Sequence, residues 1–291
     1  MASNAWIMWE NILPDATAVT EEAPAVAGWP LVHATHNWNT ATAYRYQATG
    51  SSTLNLDFNF GVGVTKEPDT VAAAPYVTDG ARLINSVWYS DNGAAWSAAK
   101  PGAFGGAWAE NIALYSTQPF ATYNDWSGKG DHQYWRIRLH GGNGRQIGVM
   151  SLGRKFEIGI GGLPPSLEPF PERVQAERVM SHSGYPLGSN VTAIERTFTM
   201  DISNPGLSVS GFFEPASGLT WQDFLDHAQG LGKLFWFCWN PDFDYPGEPG
   251  FGDHQLTSVF LCRLISAPTP IEWTTARRGL TMTFAAYNRQ G

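Results

Sequence analysis

The sequence predicts an all-β protein with one or two short helices, arranged as two β-rich domains. Three observations carry this. Several stretches alternate apolar and polar residues with a period of two, as Leu54, Leu56, Phe58 and Phe60 do against Asn55, Asp57 and Asn59; that period marks a strand with one buried face. Glycine (31), proline (19) and tryptophan (13) are abundant, a composition of turns and large aromatics that favours short strands over long helices. Residues 159–171 lose the alternation and gain Gly and Pro, with Pro164, Pro165, Pro169 and Pro171. Proline fixes φ and removes a donor, so strands rarely continue through such a segment.

The elements follow in order. Residues 1–20 read as an extended arm with Trp6, Trp9 and a Leu13-Pro14 turn. The strand from Thr53 comes next, then Arg82–Ser90 closed by Asp91-Asn92-Gly93, a favoured hairpin turn. In Tyr134–Leu139, Trp135, Ile137 and Leu139 alternate with Arg136 and Arg138, and Lys155–Ile160 ends this half. Beyond the 159–171 linker, Ile194, Phe198, Met200 and Ile202 alternate with charged or hydroxyl residues. Arg196 falls on the apolar side, where it must snorkel or pair.

The helix is read at Trp221–Gln229. Thr220 with Asp223 resembles a capping box, Trp221, Phe224, Leu225, Ala228 and Leu231 keep helical spacing, and Gly230 and Gly232 supply the stop. Three strands complete the chain: Leu234–Trp239, Leu256–Ile265 and Leu280–Ala286. The domains expected are 1–158 with the arm, a linker at 159–171, and 172–291.

Composition narrows the function. Hydrophobic residues make up 43% of the chain, enough for real cores. Only 15% of residues are charged, against roughly 25% in typical soluble domains. A chain so poor in charge expects neighbours over much of its surface, since charge is depleted at interface cores. Net charge is −8 and no stretch clusters Lys or Arg; static nucleic-acid binding needs several cations on one face. Cys238 and Cys262 both lie in apolar runs and are expected as buried free thiols. The opening residues lack the basic start and apolar stretch of a signal peptide, and no run approaches the ~20 apolar residues of a membrane span. A soluble protein made in a cytoplasm is expected.

Motifs for catalysis are sparse. His33-Ala-Thr-His36 has a metal-pair gap but no companion ligands nearby in sequence. Asp131-His132 and Asp253-His254 are acid–histidine neighbours, which alone do not form a relay. Gly128-Lys129-Gly130 lacks the rest of a phosphate loop. Asp242, Asp244, Glu248 and Asp253 do not keep EF-hand spacing. The expectation is no enzyme, no metal and no cofactor. Loop aromatics are the more telling feature: Trp29, Trp38, Trp108, Tyr123 and Trp126. Such residues pack the ends of a sandwich, anchor a protein interface, or stack on sugar rings.

Residues about 8–158 resemble the discoidin-like, galactose-binding jelly rolls found in many phage tail proteins. The resemblance rests on the Asn11-Ile-Leu opening, Thr53-Leu-Asn-Leu-Asp-Phe58, the hairpin Tyr89-Ser-Asp-Asn-Gly-Ala-Ala-Trp96, Tyr134-Trp-Arg-Ile-Arg-Leu139 and the closing strands in Ile147–Ile158. The chain departs from the pattern with an insertion at Thr65–Thr78 and a Gly/Ala/Trp-rich stretch before residue 110. Residues about 159–291 look like the ring-forming domain of tail-tube and tail-tip proteins. Here the marks are Ser181-His-Ser-Gly-Tyr-Pro-Leu-Gly188, the helix, Leu234-Phe-Trp-Phe237 and Leu280-Thr-Met-Thr-Phe284.

Together these resemblances imply a jelly-roll sandwich followed by a tail-tube-like β-barrel or sandwich. They imply a structural component of a bacteriophage tail, in the manner of a distal tail or tail-tip protein, located in the virion. Its partners would be copies of itself in a ring, six favoured over three, with the tail tube, hub and fibres, and DNA passing without specific binding. Distal tail proteins place the ring domain first, and here the order is reversed. Asp242, Phe243, Asp244, Tyr245 and Phe251 are expected to touch the next subunit. The alternative is a receptor- or glycan-binding tail protein that uses the jelly roll on a host surface sugar.

Overall fold

The computed structural model describes residues 6–36, 38, 42–47, 53–75, 84–99, 122–125, 128–140, 146–157, 172–180, 186–203, 219, 221–230, 232–238, 259–266, 269–274 and 277–288. The fold is all-β, with short helical turns. The chain forms two compact units, one built on Met8–Lys155, the other on Phe156–Asp242 and Phe260–Gly291 with Met1–Ile7. The 159–171 linker lies outside the described residues.

The first unit is a jelly-roll sandwich of two antiparallel sheets. In chain order its strands are β2 (Ala18–Glu21), β3 (Tyr44–Arg45), β4 (Thr53–Asn59), β5 (Thr70–Pro75) and β6 (Ile84–Ser90). β7 (Ser97–Ala98), β8 (Thr122–Asp125), β9 (Tyr134–His140) and β10 (Gln146–Gly153) follow; β1 (Trp6–Met8) precedes them and joins the other unit's sheet. One sheet runs β3-β10-β5-β8, the other β2-β4-β9-β6-β7.

Period-two alternation sorts the side chains as expected. Leu54, Leu56 and Phe58 of β4 face inward beside Leu139, Ile137 and Trp135 of β9, all buried. They meet Tyr44, Val71, Ala73, Ile147 and Leu152 from the facing sheet. β10 departs from simple alternation, because it is buried on both faces. The one-turn helix α1 (Val32–Thr35) lies beside β10. Asn11 links the two: its amide donates to the Thr35 carbonyl at 2.7 Å, and its Oδ1 accepts from Leu152 N and Leu13 N, both at 3.2 Å. That gives the Asn11-Ile-Leu opening a structural reason. Buried Tyr44 donates to Glu21 Oε2 at 2.9 Å, so β3 of one sheet is tied to β2 of the other. Burial and then the Glu21 charge push the Tyr44 hydroxyl far above its ordinary range.

The second unit is one eight-stranded sheet. Its strands are β11 (Phe156–Glu157), β12 (Glu172–Met180), β13 (Pro186–Ser203), β14 (Phe235–Cys238), β15 (Val259–Leu264), β16 (Thr269–Thr274) and β17 (Arg277–Asn288), in the order β11-β1-β14-β15-β17-β13-β12 with β16 also on β17. No closed barrel forms among the described residues. The stretch 1–20, expected as an extended arm, is instead folded in from Trp6 onward: Trp6 lies opposite Glu157 and Ile7 opposite Phe156, a single helical turn spans Leu13–Asp15, and β2 begins at Ala18. Expected strands 194–202 and 280–286 pair in register, Phe198 with Phe284 and Met200 with Met282.

The expected helix appears as α2 (Trp221–Leu225), continued by a wider π turn at Asp226–Gly230. Phe224 and Ala228 are buried, and the Phe224 ring meets Phe235 edge-on at 5.0 Å. In the π turn, the His227 ring lies 2.7 Å from the Leu234 carbonyl through Nε2, and burial lowers its basicity. No described helix is long and apolar enough to cross a membrane.

Cys238 and Cys262, on β14 and β15, are buried thiols not joined in a disulfide. Burial pushes the Cys262 thiol well above its ordinary value. The thiolate is the reacting form, so labelling of native protein by a thiol reagent should take hours, accelerating sharply in denaturant. Complete modification within minutes would show that the sheet opens readily.

Candidate functional site

The chemistry of the jelly roll concentrates where β4, β6 and β9 meet their loops. Three glycine turns build this rim. Of the seven glycines described with positive φ, Gly61, Gly63, Gly93, Gly128 and Gly130 all belong to it. Only a residue without Cβ adopts that geometry at no steric cost.

The β6–β7 turn is held by its own side chains. Ser90 Oγ accepts from Gly93 N at 3.0 Å, and Asn92 Oδ1 accepts from Ala94 N and Ala95 N, both at 2.9 Å. Gly93 sits at φ 70°, and a Cβ there would lie 3.1 Å from the Tyr134 ring. With Ser90 Oγ and Asn92 Oδ1 engaged within the turn, Asp91 is left projecting, its side chain 76% exposed. Its Oδ1 lies 2.8 Å from His132 Nδ1, and His132 Nε2 lies 2.7 Å from the Lys129 carbonyl. The imidazole also stacks on Tyr89, centroids 4.0 Å apart, with Trp135 5.9 Å away.

The 61–66 loop is bolted to the same place. Lys66 and His132 exchange backbone hydrogen bonds, and buried Trp135 donates Nε1–H to the Lys66 carbonyl at 3.1 Å. Lys66 Nζ pairs with Asp15 at 2.7 Å. Val62 stands almost wholly exposed beside it.

On the outer face of the same sheet, planar cations and indoles interleave. Arg136 makes a bidentate pair with Asp57, at 2.6 and 2.7 Å, while Trp96 covers its guanidinium at 4.0 Å. Arg138 donates to Asn55 Oδ1 at 2.9 Å and lies 5.2 Å from the Trp88 ring. Trp96 thereby fastens the end of the 91–96 hairpin to β9. A rigid element under the rim is what a recognition site requires, because its groups are then positioned before a ligand arrives.

The sequence-predicted residues fall elsewhere or outside. Trp29 and Trp38 flank α1, both half-exposed, and Trp38 has φ 44°. Tyr123 is placed by its backbone in β8, opposite Ala72. Trp108 and Trp126 lie outside the described residues, as do Asp242, Phe243, Asp244, Tyr245 and Phe251. The two histidines of the His33/His36 pair take separate partners, Ala43 O at 3.1 Å and Thr35 Oγ1 at 2.7 Å. Among the described residues, no group of three His, Cys, Asp or Glu is placed to hold a metal ion.

The sequence sets His132 beside Asp131, whereas the carboxylate that meets its ring is Asp91, 41 residues away. The signal within reach was the density of glycines in 61–63, 93 and 128–130. What the rim offers is an exposed carboxylate, a stacked imidazole and half-buried Tyr134.

No protein-family model matches the chain, and no curated protein matches it. Matches come from solved structures, each over about half of the chain. CpGH89CBM32-6 produced by Clostridium perfringens is 13% identical, covering 51% of this chain and 99% of its own, with a TM-score of 0.34. The family 32 CBM of C. perfringens NanJ, in complex with galactose, is 15% identical over 52% of this chain and 98% of its own, TM-score 0.35. The CBM32 of AlyQ, in complex with 4,5-unsaturated mannuronic acid, is 18% identical over 47% and 94%, TM-score 0.33.

Proposed function

We propose that the chain is a non-catalytic recognition protein of a bacteriophage tail, whose jelly roll binds a host surface glycan at the three-loop rim. The observation that carries this is the Asp91 group. An exposed carboxylate is held by His132, on a turn whose Ser90 Oγ and Asn92 Oδ1 are already engaged, so it can accept hydrogen bonds from sugar hydroxyls. Tyr134, packed against Gly93 beside it, offers an aromatic surface to a sugar ring. The phage setting is what the resemblance of both halves implies.

A glycan array with the full chain should return a defined sugar. Asp91→Ala should weaken that binding roughly ten- to hundredfold, the worth of a hydrogen bond to a charged group, while thermal melting stays unchanged. An array without hits, or full binding by the variant, removes the rim as the site.

A second reading is a ring-forming structural component of the tail tip. It is favoured by the 15% charge content, which suits a surface covered by neighbours. Cryo-EM of virions tests it directly; six copies, or three, around the tail axis is the outcome it requires.

A further inference from the structure

We infer that the chain forms a twofold dimer by pairing strand β12 with β12 of a second copy. In the eight-stranded sheet β12 is terminal, with β13 its sheet neighbour among the described residues. An edge strand presents a row of unpaired backbone donors and acceptors, a template for another strand. Bulges often spoil such edges, but here both irregularities fall on the inner partner. Thr192 and Leu187 are the extra residues, each on β13, so β12 keeps an unbroken ladder over nine residues.

The strand reads Glu172-Arg-Val-Gln-Ala-Glu-Arg-Val-Met180, and it is complementary to itself when run antiparallel. With the twofold axis at Gln175, Glu172 comes opposite Arg178 of the second copy, and Arg173 opposite its Glu177. Val174 meets Ala176, and Gln175 meets Gln175. All four charged positions then face opposite charge, on both sides of the axis. A slip by one residue in one direction sets Glu172 against Glu177, and in the other sets Arg173 against Arg178. Like charges directly opposite destabilise a pair of strands, and opposite charges stabilise it, so the pattern selects one register as well as one partner.

The rows also continue those already within the sheet, where Glu172 lies opposite Arg196 and Arg173 opposite Glu195. A purely protective edge would carry one sign of charge and repel every copy of itself. The contact is isologous and closes at two copies, in contrast to the head-to-tail contact that a ring needs. Two linked copies of a glycan site would also bind a sugar-coated surface with avidity.

The test is the mass of the full chain in solution at micromolar concentration, by light scattering or sedimentation. Twice 31.9 kDa is expected. In the Glu177→Arg/Arg178→Glu variant, every charged pair across the axis becomes like-signed, while net charge is kept and the β13 positions opposite are neutral Asn190 and Ser189. Dimerisation should weaken by about a hundredfold or more. Gln175→Cys should form an intermolecular disulfide rapidly, because paired strand positions lie within disulfide reach, and Ala176→Cys should do so far more slowly. A monomer, a trimer or a hexamer, a mass unaffected by the charge exchange, or equal cross-linking at 175 and 176 would each overturn the inference. None of these outcomes depends on whether the rim binds a sugar.

Discussion

Trp135→Ala is expected to destabilise the jelly roll by roughly 3–5 kcal/mol, the range for truncating a large aromatic in a packed core. The indole is fully buried in β9, between Phe58 of β4 and Tyr89 of β6. Its removal leaves a cavity at the centre of the five-stranded sheet. It also takes away the Nε1–H donated to the Lys66 carbonyl, although that carbonyl still accepts from His132 N. Trp135→Phe separates the two effects: most of the volume returns and the hydrogen bond does not, so a cost of about 1–2 kcal/mol is expected. Urea titration followed by far-UV circular dichroism measures both. A loss under about 1 kcal/mol for the alanine variant would place the indole outside the core. Because Trp135 supports His132 and the Lys66 loop from beneath, the alanine variant should also lose sugar binding at temperatures where it remains folded.

In the second unit the corresponding truncation is Phe224→Ala, with an expected loss of roughly 3–5 kcal/mol. Phe224 is buried, and its ring begins a chain of edge-on contacts: Phe224 to Phe235 at 5.0 Å, Phe235 to Phe284 at 5.7 Å, and Phe284 to Phe237 at 4.8 Å. Each such pair adds about 0.5–1.5 kcal/mol beyond burial. The chain joins α2 to β14 and β17, and among the described helical side chains Phe224 and Ala228 are the buried ones. Loss of the ring should free α2 before the sheet melts. Hydrogen exchange of the α2 amides measures that release directly; protection equal to wild type would show that other contacts hold the helix.

Features that depend on near neighbours in the chain were legible in the sequence. The alternation in β4 and β9 follows from a side-chain period of two, and it placed Leu54, Leu56, Phe58, Trp135, Ile137 and Leu139 inside. Asp91-Asn92-Gly93 marks a turn through its own backbone preferences, and helical spacing placed Phe224 and Ala228 on the buried face, with Leu225 half-buried at its edge. The apolar flanks of Cys238 and Cys262 foretold their burial. The π turn after Leu225 was not foreseen, since helical periodicity describes residues 221–229 nearly as well.

What the sequence determined by itself, then, was the all-β class, strands at the positions of β4, β6, β9, β13, β14, β15 and β17, and the inward faces of β4 and β9; β2, β3, β5, β7, β8, β12 and β16 carried no alternation that marked them. The tertiary structure decided which residues meet. It paired Asp91 with His132 rather than Asp131, brought Asp57 to Arg136 across 79 residues, and put Trp6–Met8 into the sheet of the other unit. It also left β12 terminal among the described strands and assigned both bulges to β13. The physical reason is that sheet order and register are set by long-range closure and by packing of whole faces. Periodicity says which side of a strand is buried, and carries no information about the strand lying next to it.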